Sequence, residues 1–120
     1  MSLAEPWIEK AKEDFENGVF NNTHKKFSLS AFLFQQSAEK ALKAVLLIKG
    51  KGLIKTHDCF LLAKECSAPQ EVVESAEILS PYYMRTRYPD AVLVSLNAND
   101  VARLKSAAEK VLQWSQKKHY

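Results

Sequence analysis

The sequence predicts an all-α protein, an up-and-down bundle of four to five helices forming one domain over 1–120. Three observations carry this. The run from Ser28 to Ile48 holds neither Gly nor Pro and is rich in Ala, Leu, Lys, Gln and Glu, all favourable helix formers. Within it Ala31, Phe34, Ala38, Ala41, Leu42, Val45 and Ile48 share one arc at ~100° per residue. Further apolar stripes at helical spacing lie on both sides of it, punctuated by Gly, Pro and Asn.

Taken in order, Pro6 suits a first helical turn, and Ile8, Ala11, Phe15 and Val19 form a stripe ending near Phe20. Asn21, Asn22 and Thr23 break that pattern before the central helix, which is expected to stop at Gly50-Lys51-Gly52. His24, alone and polar-flanked, reads as solvated. Thr56 is the expected N-cap of a third helix, with Asp58 in its first turn and an end near Cys66. A fourth starts at Ser67-Ala68-Pro69 and runs through Val72, Val73, Ala76 and Leu79 until Pro81 ends it. The stretch Pro81–Asp90, with its two prolines, three tyrosines and two arginines, is expected to be irregular. Asn97, Asn99 or Asp100 caps the last helix, which turns Val101, Leu104, Ala108, Val111 and Ser115 inward.

Composition limits the function classes. A 120-residue chain with 47% hydrophobic and 26% charged residues is ordinary globular material. Its net charge of +3 is too small to argue nucleic-acid binding by itself. Lys40 and Lys43 interrupt the longest apolar run, so no membrane span is expected. The N-terminus lacks the form of a signal peptide, which predicts a cytoplasmic protein. Cys59 and Cys66 fall about 10.5 Å apart along one helix, too far for a disulfide, and are read as reduced and partly buried. No Gly-rich phosphate loop occurs, so a nucleotide site has to be built from side chains and a helix N-terminus. His57 with Glu39 and Asp90 lacks metal-ligand spacing, and neither metal nor cofactor is expected.

Two features are not explained by core packing. Gln36, Glu39, Lys40 and Lys43 form a polar stripe on the otherwise apolar central helix. It reads either as a solvated face with intrahelical ion pairs or as the lining of a site. The Tyr- and Arg-rich segment reads either as a packed plug or as ligand-contacting, since Tyr stacks and Arg forks onto anions. Chain reversal at Gly50–Gly52 brings Lys43 and His57 to one end of the bundle, and the Tyr82–Asp90 segment can fold over it. The expected ligand-binding set is therefore Lys43, His57 and Arg87, with Tyr83 or Tyr88 stacking on a base and Glu39 and Asp90 orienting the cations. The rival is a structural knot in which Glu39 and Asp90 only neutralise Lys43 and Arg87. Phe32, Leu33 and Leu47 lie off the apolar arc, and a homodimer is expected to cover them.

FLFQQSAEKALKAVLL, then Lys55-Thr56-His57-Asp58, then Arg87-Tyr88-Pro89-Asp90, resembles the HEPN family, named for nucleotide binding in higher eukaryotes and prokaryotes. The resemblance runs from Trp7 to about Lys117. It implies a helical bundle of four or five helices, a homodimer, a nucleotide or polyphosphate ligand, and a minimal nucleotidyltransferase as partner. The resemblance also implies ribonuclease or toxin branches, of which the ribonuclease branches carry an arginine followed four to six residues later by a histidine on one helix. His24, His57 and His119 have no such arginine upstream, so RNA cleavage is not the favoured expectation. A helical dimerisation module without a small ligand is the third reading.

Overall fold

The computed structural model describes residues 2–87 and 95–120; the side chains of Arg85, Thr86 and Arg87 fall outside that description, as do Tyr88 and Asp90 entirely. The described chain is all-helical: α1 (Glu5–Thr23), α2 (Phe27–Ile48), α3 (Cys59–Glu65), α4 (Gln70–Leu79), α5 (Tyr82–Arg87) and α6 (Ala98–Gln116). Four of these are long; α3 and α5 are of 7 and 6 residues. The expected all-α bundle is what forms. No helix among the described residues is long and apolar enough to cross a membrane.

The central helix touches all five others. Ala31, Phe34, Ala38, Ala41, Leu42 and Val45 are fully buried, as their arc requires. α1 runs antiparallel to α2: Ser30 Oγ donates to the Gly18 carbonyl at 2.6 Å and Ser37 Oγ to the Ala11 carbonyl at 2.7 Å. Gly18 is there because Phe34 leaves no room for more. A Cβ on Gly18 would stand 2.7 Å from Phe34 Cε1. On the other flank α6 presents Val101, Leu104, Ala108, Val111 and Ser115, all buried and in the inward register its periodicity predicts.

Helix ends explain three departures from expectation. α1 continues through Thr23, because Asn21 Nδ2 donates back to the Asn17 carbonyl and Thr23 Oγ1 to that of Phe20, at 2.8 and 2.6 Å. It stops at Lys25 (φ 59), with Lys26 N donating to Asn21 O and Lys25 N to Asn22 O. α2 uses the same motif with Gly50 (φ 74), and α3 with Ser67 (φ 54). The N-cap of α3 is Asp58, not Thr56: Asp58 Oδ1 accepts from Leu61 N at 3.1 Å, while Thr56 Oγ1 accepts from Asp58 N one step earlier. Tyr82–Arg87 is helical, contrary to the irregular segment expected. Pro81 constrains only its own φ and the residue before it, so the six residues that follow are able to turn. Asn97 and Asp100 form a full capping box at the start of α6.

Both cysteines are free and buried. Burial pushes each thiol above its ordinary range, Cys66 to about 11, and Glu39 adds to the shift at Cys59.

Candidate functional site

The polar stripe of α2 is not a solvated face. Glu39 is 4% and Lys43 8% exposed. They are covered from one side by Trp7 of α1, whose ring centroid lies 5.9 Å from Lys43 Nζ, and from the other by His57, on the loop before α3. Burying charge is costly unless every lone pair is matched, and here the matching is dense. Glu39 Oε2 accepts from Lys43 Nζ at 3.0 Å. Glu39 Oε1 faces His57 Nδ1 at 3.0 Å and accepts from Gln35 Nε2 at 3.1 Å. Gln35, fully buried, also donates to the His57 carbonyl at 3.2 Å, which fixes the backbone of the loop as well as the ring.

A carboxylate only accepts, so His57 Nδ1 carries the proton and the far nitrogen, Nε2, is the acceptor in the neutral ring. The imidazole is clamped from the other direction too. It stacks on Tyr83 of α5 with centroids 3.8 Å apart and planes 10° from parallel. Tyr83 in turn leans on Phe32, centroid to centroid 6.1 Å. The His57 side chain nevertheless stays 52% exposed, at the edge of a groove of about 340 Å³ lined by His57, Asp58, Ser80, Tyr83 and Met84. Asp58, which also lines it, is engaged, accepting from Ser80 Oγ at 2.8 Å and from the α3 backbone.

Of the residues singled out from sequence, Glu39, Lys43, His57 and Tyr83 therefore meet at one place. Lys43 brings no free positive charge: its ammonium belongs to Glu39. Glu39 pairs with both Lys43 and His57. The Arg87 side chain, Tyr88 and Asp90 lie outside the described residues, so their share in the site rests on sequence alone. Among the described residues no group of three His, Cys, Asp or Glu could hold a metal ion.

Gln35 and Trp7 were not singled out from sequence. Gln35 had a signal, its i,i+4 spacing to Glu39. Trp7 had none beyond bordering the stripe of α1. Lys40 completes the polar row from the α1 side, with Nζ 2.5 Å from Asp14 Oδ2; Asp14 is itself buried. Phe32, Leu33 and Leu47 are half-buried within the single chain.

Similarity to known proteins follows the fold closely. The family model described as HEPN domain matches residues 4–119. The crystal structure of TT1696 from Thermus thermophilus superposes with a TM-score of 0.89 at 26% identity, over 99% of this chain and 100% of that one. That of ST0689, an archaeal HEPN homologue, does so with a TM-score of 0.80 at 27% identity, over 98% of each chain. No curated protein matches the sequence.

Proposed function

Because the chain belongs to the HEPN domain family, we propose that it is a nucleotide- or polyphosphate-binding module, working as a homodimer beside a minimal nucleotidyltransferase. The observation that carries this is His57, an imidazole clamped by Glu39 and Tyr83 yet half exposed at the rim of a groove. A ring already fixed in place loses little freedom when it engages a ligand. Protonated, its outer nitrogen donates a charge-assisted bond to a phosphate oxygen, and the stacked Tyr83 extends the aromatic surface for a base. Arg87 and Tyr88 belong to the same proposal. The absence of the arginine–histidine spacing from all three histidines places binding ahead of RNA cleavage.

One observation favours a second reading, a helical module with no small ligand. The Lys43–Glu39 pair is internally satisfied and would knit α2 together without one. Thermal unfolding with mono-, di- and triphosphate nucleotides separates the two, since a ligand bound only by the folded chain raises the melting temperature. The proposal expects a concentration-dependent rise that His57→Ala abolishes while far-UV circular dichroism stays helical. No rise with any nucleotide leaves the ligand-free module as the function.

A further inference from the structure

A second recess, about 270 Å³ in volume, lies on the α1 side of the same stripe and is lined by Pro6, Trp7, Lys10 and Lys40. Its walls are the indole, the proline ring and lysine methylenes, and its cations are matched at the rim. Lys40 Nζ lies 2.5 Å from Asp14 Oδ2; Lys10 Nζ lies 3.0 Å from Glu13 Oε1 and 3.7 Å from Asp14 Oδ1. With no surplus charge, the recess offers a phosphate little. A flat, uncharged ring gains a stacking face on Trp7 and aliphatic edges from the lysine stems. The volume falls below the ~300–1,000 Å³ that encloses a whole drug-sized ligand, and so suits a single ring system.

The two recesses stand on opposite flanks of one ion pair. Trp7 lies over Lys43, Lys43 binds one oxygen of Glu39, and the other oxygen holds His57 with its Tyr83 stack. Aromatic faces thus occur at both ends of a short line of contacts of 5.9, 3.0 and 3.0 Å. Bases stack on such paired platforms whatever their identity. We infer that the Trp7 recess is a second ring subsite and that the ligand of this protein carries two nucleobases joined through phosphate, an inference that deepens the nucleotide-binding reading and rests on it. Two sources share that chemistry: a dinucleoside polyphosphate and a dinucleotide step of a single strand.

The test is heteronuclear NMR on the full chain, following the indole signals and the His57 ring. Trp7 and Trp114 are told apart by Trp7→Phe, and Trp114, under Lys118 in α6, is the internal control. The probes are adenosine monophosphate, diadenosine tetraphosphate and adenylyl-(3′,5′)-adenosine. At least one two-ring probe is expected to shift both Trp7 and His57 and to bind about tenfold more tightly than the monophosphate, the gain of one stacked base. Trp7→Leu should erase that tenfold excess, and Trp7→Phe should keep most of it. Which two-ring probe shows the excess identifies the source. Equal affinity for all three probes, or a Trp7 signal that stays still while His57 moves, overturns the inference and leaves the nucleotide reading intact. A His57 ring unmoved by every probe overturns both.

Discussion

Removing Glu39 should cost more than removing its partner, and removing both should cost less than removing Glu39 alone. The Glu39 side chain is 5% and that of Lys43 10% exposed, so solvent screens the pair only weakly. Glu39→Leu strands the Lys43 ammonium under Trp7 and releases His57, and breaking a buried pair this way costs about 3–5 kcal/mol. Lys43→Met leaves the carboxylate with Gln35 and His57 still in place, so the loss is nearer that of one bond to a charged group, about 1.5–3 kcal/mol. The double variant Glu39→Leu/Lys43→Met removes the stranded ammonium but still takes the Glu39 acceptor from Gln35 and His57, so it is expected to cost about 1–3 kcal/mol, less than Glu39→Leu alone. Urea unfolding at pH 7, followed by far-UV circular dichroism at constant m-value, measures all four corners of the cycle. Single changes that each cost under about 1 kcal/mol and simply add would refute the claim that this pair is buried and coupled.

Three further outcomes are expected. Gly18→Ala should lower stability by about 1 kcal/mol, since crowding a buried ring by ~1–3 kcal/mol outweighs the ~1 kcal/mol helix gain, and a higher melting temperature would contradict the 2.7 Å approach to Phe34. Lys25→Gly should raise stability by about 0.5–1 kcal/mol in the same melt, because Lys25 holds φ 59 at the end of α1, where glycine is unstrained. The contribution of the Cys66 thiol should be complete below pH 9.0, the unfolded value, and lost as the pH rises through about 11: the unfolded chain releases that proton first. Urea midpoints taken from pH 8 to 11 should fall less steeply in Cys66→Ala than in the parent chain.

Much of this protein was fixed by local chemistry that a linear reading captures. The period of apolar residues set α2 at Phe27–Ile48 within a residue of the expected Ser28–Ile48, and Gly50 stopped it, because only a left-handed residue satisfies both trailing carbonyls there. The inward row of α6 and its Asn97 cap were equally local. Where two residues had nearly equal local merit, tertiary contacts chose. Thr56 and Asp58 are both good caps, and the bonds from Ser80 Oγ to Asp58 and from Gln35 to the His57 carbonyl selected Asp58. The six residues of α5 turn despite Pro81, because proline restricts only its own φ and the residue before it, not those that follow. The burial of Glu39 and Lys43 could not be read from α2 at all. The same i,i+4 pair is ordinary on a wet surface, and only Trp7 from α1 and His57 from a distant loop, closing from either side, turn it into an enclosed ion pair that aims a histidine.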